Sequence, residues 1–97
     1  IINFGIFVNS IPKQVKQFKN LKLLSVLNNN VNSLPTEVGS LASLQTLFVD
    51  INPIPTILPT VGKLKKLEKL GVGKTNIGES EIAQIKQLLP NCEVLFQ

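Results

Sequence analysis

Aliphatic residues in this chain return every 23 positions, and only a stack of repeated units satisfies a period of that length. Blocks of 23 open at Leu21, Leu44 and Leu67. In the first, positions 1, 4, 6, 11, 14, 18 and 21 are Leu21, Leu24, Val26, Val31, Leu34, Val38 and Leu41. In the second they are Leu44, Leu47, Val49, Ile54, Ile57, Val61 and Leu64. Hydrophobic residues are 43% of the 97, so an unbroken aliphatic register across both blocks is not chance. Position 9 is polar in all three blocks: Asn29, Asn52 and Thr75.

Positions 4 and 6 alternate about position 5, so they point to one face of a short strand. Parallel strands are predicted near residues 24–26, 47–49, 70–72 and 94–96, with Leu24/Val26, Leu47/Val49 and Leu70/Val72 stacked inward as ladders. Position 9 follows the strand, where the chain turns. An Asn there can both donate to and accept from loop backbone groups that would otherwise be buried unpaired. Thr75 has less capacity, so this polar ladder of Asn29, Asn52 and Thr75 is expected to weaken at its last member. Leu34 and Pro35, and Leu58 and Pro59, open the opposite side, predicted to be extended or 3₁₀ rather than a long helix. Gly39 and Gly62 are assigned to tight backbone turns there.

The order Leu-x-x-Leu-x-Leu-x-x-Asn-x-Leu, followed by a Pro-containing turn, resembles the leucine-rich-repeat family in its 23-residue form. Leu34, Pro35, Val38, Gly39 and Leu41 match that form's Leu-Pro-x-x-(Ile/Val)-Gly-x-Leu; the next block matches with Pro59 one place late. The run from Leu89 and Pro90 through Cys92 to Val94 resembles the closing strand of bacterial members. The resemblance spans roughly residues 8 to 97 and implies an α/β solenoid. That solenoid is an arc with a short-stranded parallel sheet on its concave face and a C-terminal capping helix plus strand. It also implies a non-catalytic, protein-binding role with no cofactor, and favours an extracytoplasmic or cell-surface setting. A structural or stalk segment of a longer surface protein is the competing role. The family binds such diverse partners that fold alone does not choose one.

Residues 1–97 read as a single domain: a partial repeat over 1–20, repeats over 21–43, 44–66 and 67–89, and a C-terminal cap over 78–97. In the cap, Ser80 is the expected N-cap of a helix over 81–89, with Ile82, Ile85, Leu88 and Leu89 as its apolar stripe. Residues 93–97 also resemble a protease-tag remnant. At the start, Ile11, Pro12, Val15 and Phe18 keep the 23-residue register, but upstream of Val8 it fails. Residues 1–8 are therefore expected to leave an uncapped apolar edge that self-associates or frays.

Catalytic chemistry finds few tools. There is no His, and Cys92 has no second Cys to pair with, so it reads as a structural thiol. Asp50 and Glu68 are the carboxylates best placed to converge. Gly71, Gly73, Lys74 and Thr75 imitate a phosphate loop without its glycine spacing or its following helix. No metal site is expected, and no apolar run is long enough to span a membrane. All ten basic residues are Lys and the net charge is +4. Without Arg forks or interleaved aromatic rings, nucleic acid is disfavoured as a partner. Lys13, Lys16, Lys19 and Lys22 form one lysine group, and Lys63, Lys65, Lys66 and Lys69 another. They read as a solubilising flank, with docking of an anionic partner as the alternative.

The candidate binding surface is the concave face. Its outward residues are predicted to be Leu23, Ser25 and Leu27 in the first block, Thr46, Phe48, Asp50 and Ile51 in the second, and Lys69, Gly71 and Lys74 in the third. Leu23, Leu27, Phe48 and Ile51 are apolar where solvent is expected, and Gly71 leaves a shallow floor beside Phe48.

Overall fold

A computed structural model describes residues 2–3 and 11–96. Its strands are β1 (Ile2–Asn3), β2 (Leu23–Ser25), β3 (Thr46–Phe48), β4 (Lys69–Gly71) and β5 (Glu93–Leu95), all pairing in parallel in the order β1-β2-β3-β4-β5. Each of the four anticipated strands begins one residue early. Leu24, Leu47, Leu70 and Val94 share one row across the sheet. The ladder continues past the strand ends, since Val26 N–H donates to Phe48 O at 2.9 Å and Val49 N–H to Gly71 O at 2.9 Å.

β1 explains why the register fails upstream. Ile2 pairs with Leu24, a step of 22 residues, whereas the 3₁₀ helices Lys13–Gln17 and Thr36–Ser40 stand 23 apart. The first step is thus one residue short, which a fixed period cannot see. Of residues 1–8, expected to self-associate or fray, only this two-residue strand is among the described residues; the rest lie outside them.

On the convex side, Pro12 and Pro35 stand in extended backbone just before their 3₁₀ helices, each with ψ near 150° (146° and 149°). In the next repeat Pro59 comes one place later, inside the first turn of α1 (Leu58–Val61). A Pro there lacks only an N–H that the helix start leaves unbonded. α-Type bonds then form, Val61 N–H to Ile57 O at 2.9 Å and Gly62 N–H to Leu58 O at 3.1 Å. Gly39 and Gly62 are not turn residues in the left-handed sense, because no described glycine has positive φ. They are small because the backbone is close: a Cβ on Gly39 would stand 3.2 Å from Thr60 O, and one on Gly62 3.1 Å from Leu58 O.

α2 (Glu79–Leu88) starts two residues before the expected position and its N-cap is Gly78, in extended backbone, not Ser80. Its Glu81 reaches the neighbouring repeat. Oε2 accepts the N–H groups of Ile57 at 2.7 Å and Leu58 at 3.1 Å, and Oε1 accepts the Thr56 hydroxyl at 2.6 Å. A carboxylate from one repeat therefore caps the helix of the one before it.

The core is the predicted aliphatic register. Leu24, Val26, Val31, Val38, Leu41, Leu44, Leu47, Val49, Ile54, Val61 and Leu70 are fully buried, joined by Ile85 of α2. Phe96, which falls at the inward-facing position 6 of the strand anticipated at 94–96, lies instead beyond β5 and is 46% exposed, with the Lys86 ammonium 4.6 Å from its ring centre.

Candidate functional site

The polar ladder comes first, because it fixes the loop that shapes the site. Asn52 is 2% exposed. Its Nδ2 donates to the carbonyls of Val49 at 3.0 Å and Asp50 at 3.1 Å in its own repeat, and of Val26 at 2.9 Å in the previous one. Its Oδ1 accepts the N–H groups of Asn29 at 3.1 Å and Val31 at 3.0 Å. Asn29 likewise donates to Val26 O at 2.8 Å and Leu27 O at 3.2 Å. Thr75 does less: its hydroxyl donates to Val72 O at 2.7 Å and accepts Ile77 N–H at 3.4 Å, both within its own repeat.

Immediately before each of these residues the chain passes through the left-handed region. Asn28, Ile51 and Lys74 have φ of 58°, 59° and 56°, at the same position in three successive repeats. Asn accepts this conformation readily; a β-branched Ile does not. The left-handed row aims Asn28, Ile51 and Lys74 outward, and all three are exposed. With Asn30, Pro53 and Asn76 they line an open groove of about 370 Å³ along the carboxyl ends of the strands.

The concave rows are set by the pairing. Leu23, Thr46, Lys69 and Glu93 form one, and Ser25, Phe48, Gly71 and Leu95 the next. Leu27 and Ile51 are exposed, at 47% and 42%, the outward placement expected of them. Leu23, Thr46 and Phe48 are half-buried, and Lys69 is exposed. Ser25 and Gly71 depart from expectation: both are buried. The Ser25 hydroxyl turns toward the Leu27 N–H, at a long 3.4 Å. Gly71 is covered from the side. A Cβ there would meet Phe48 Cδ1 at 2.9 Å and collide with the Asp50 carboxylate. The expected shallow floor is thus occupied by Phe48 and Asp50. Asp50 Oδ2 accepts Gly73 N–H at 3.1 Å, while Oδ1 is buried with no hydrogen-bond partner. Asp50 consequently serves the loop of the next repeat and does not converge with Glu68. Leu95, 41% exposed in the Phe48 row, was missed because the predicted concave residues stop at the third block, although the last strand beyond it was anticipated.

Among the described residues no group of three His, Cys, Asp or Glu side chains could hold a metal ion. Burial, and secondarily the Glu93 carboxylate, push the Cys92 thiol above its ordinary range, away from the nucleophilic thiolate. Gly71 lies in β4 and no helix starts at Lys74 and Thr75, α2 beginning only at Glu79, so the phosphate-loop likeness is one of letters alone. No described helix is long and apolar enough to cross a membrane.

The same architecture occurs in solved proteins. A leucine-rich-repeat protein of Leptospira interrogans, LIC12759, superposes with a TM-score of 0.86 at 38% identity, over 93% of this chain and 23% of that one. An internalin of Listeria monocytogenes, inlF, superposes with a TM-score of 0.59 at 19% identity, over 89% of this chain and 31% of that one, and shows the fold alone. No family model and no curated protein matches the sequence. The chain belongs to the leucine-rich-repeat family, and these two solved neighbours are bacterial. It spans less than a quarter (23%) of the length of the Leptospira protein.

Proposed function

We propose that the chain is a non-catalytic protein-binding module, and that its partner lies on the concave face and the adjoining strand-end groove. The observation that carries this reading is Ile51. It is 42% exposed and held at φ 59°, where its equivalent in the previous repeat is the well-suited Asn28. A strained, water-exposed aliphatic residue costs stability twice, and such costs gather at functional sites. Leu27 stands one repeat away and equally bare, Phe48 lies beside them, and Lys74 and Asn28 supply a polar rim. Asp50, Ser25 and Gly71 shape the surface from beneath it; Leu23, Thr46 and Lys69 extend it toward the strand starts. Such a surface suits a protein ligand with an apolar centre, in an extracytoplasmic setting.

The test is affinity capture by the intact chain, by Leu27→Ser/Ile51→Asn, and by a control on the exposed face of α2, Gln84→Ala, each compared by quantitative mass spectrometry. A protein retained by the wild type and control but lost from the double variant supports the reading. Identical retention by all three contradicts it. One fact favours a second reading, a structural segment of a longer surface protein: the chain spans only 23% of its Leptospira neighbour. Under that reading, deleting these repeats from the longer protein leaves every partner bound.

A further inference from the structure

Eight of the ten lysines lie at residues 13–22 and 63–69, and all eight are exposed. Among the described residues, none of them stands within ion-pair distance of a carboxylate. They are not spread evenly. The repeat between the two groups carries Gly39, Ser40 and Ala42 where its neighbours carry Lys16 and Lys19 on one side and Lys63 and Lys65 on the other. The 3₁₀ helix Lys13–Gln17 packs on Thr36–Ser40, which packs on α1, so the three segments lie side by side. Lys16, Gln17, Lys19, Ser40 and Ala42 line an open cleft of about 570 Å³. Across the middle repeat lies the Lys63 stem, whose Cδ would stand 3.2 Å from a Cβ on Gly39. The carboxylates of this flank, Glu37 and Glu68, are not among the residues lining the cleft.

Lys16 and Lys19 line the cleft beside the small residues Ser40 and Ala42, and the Lys63 stem reaches the middle repeat from the other side, so the cleft carries one sign of charge and concentrates potential along its length. We propose that this cleft is a second binding site, separate from the concave face, and that it takes an extended acidic peptide segment of a partner protein. The charge complementarity is direct, and Gln17 and Ser40 offer hydrogen bonds to peptide groups along the floor. A duplex or single strand of nucleic acid is a poorer fit. Lysines lack the bidentate fork of Arg, and among the described residues Phe18 is the one ring in the 13–22 group, not a series on which bases stack. An anionic membrane is poorer still, since a flat surface would touch the rim and leave the cleft empty.

The experiment uses a fluorescein-labelled decaglutamate peptide and anisotropy at low salt. The wild type is expected to bind saturably, with an affinity that falls about tenfold or more between 50 and 300 mM salt, as pairing between exposed charges requires. Lys16→Gln/Lys19→Gln is expected to weaken binding about tenfold, and Lys74→Gln/Lys86→Gln, with the same loss of charge elsewhere, less than about twofold. Phe48→Ala is expected to leave it unchanged, so this site and the concave face fail or stand independently. Circular dichroism checks that each variant is folded; Lys65→Gln repeats the test from the other lysine group. Absence of saturable binding overturns the proposal. So does equal weakening in both lysine pairs, which would mean diffuse charge. Tighter binding of a ten-residue oligothymidine or of phosphatidylserine vesicles than of decaglutamate overturns it as well.

Discussion

The side-chain oxygen of Asn52 accepts the backbone N–H of Asn29, one repeat upstream, at 3.1 Å. The same atom accepts Val31 N–H, and the amide nitrogen binds a carbonyl of that upstream repeat at 2.9 Å. Asn52→Ala therefore strands buried groups in two repeats, each worth about 1–3 kcal/mol when left unpaired. Thr75→Ala strands groups in one. Urea melts should show Asn52→Ala losing more stability than Thr75→Ala by at least about 1 kcal/mol; equal losses would refute the ladder's role.

Glu81 holds α2 against α1 by accepting the two N–H groups at the start of α1. Glu81→Ala is expected to cost about 1–2 kcal/mol, the scale of a lost helix cap. Hydrogen exchange should locate the loss at Ile57 and Leu58. Unchanged protection there would mean the cap is not formed in solution.

Gly71 leaves room for Phe48 and the Asp50 carboxylate to close over the sheet. Gly71→Ala must displace one of them, at about 1–3 kcal/mol, the cost of overpacking. Thermal unfolding should show the drop. A variant as stable as the wild type would place Phe48 and Asp50 elsewhere.

How far the sequence foretold this depends on which physical constraint is asked about. Burial at positions 4, 6 and 11 was legible, because Leu24, Val26 and Val31 must be aliphatic for stacking to work. So was the weak third rung, since Thr cannot offer what Asn offers. The 24-residue step to the last strand was legible, because the helix and Pro90 mark where the spacing lengthens, whereas the 22-residue step at β1 was not, since it breaks a period that assumes one spacing. The α2 start was misplaced because Ser80 looks like a cap, whereas the extended residue before the helix is Gly78. In the site, exposure of Leu27 followed from strand phase, whereas Ile51 is turned outward by its left-handed backbone. Burial of Ser25 and Gly71 did not follow from phase, because it depends on where Phe48 and Asp50 lean across the sheet. The left-handed backbone at Ile51 was hidden by its residue type, for nothing about an isoleucine announces positive φ.

Relieving the left-handed isoleucine should raise stability: Ile51→Asn is expected to gain about 1 kcal/mol, within the cost assigned to a side chain in that region. Denaturant midpoints should rise without a change in slope. A fall in midpoint would mean that Ile51 packs against something that outweighs its strain.

The central claim is that apolar side chains over the concave face are there for a partner. Phe48→Ala tests it most directly, measured by titration against the protein captured by the wild type. Affinity should fall about tenfold, near 1.4 kcal/mol, as for an aromatic anchor near the centre of an interface, while the circular dichroism spectrum stays that of the folded chain. A variant that unfolds, or one that binds as tightly as the wild type, would show that Phe48 belongs to the packing of Gly71 alone and that the partner sits elsewhere.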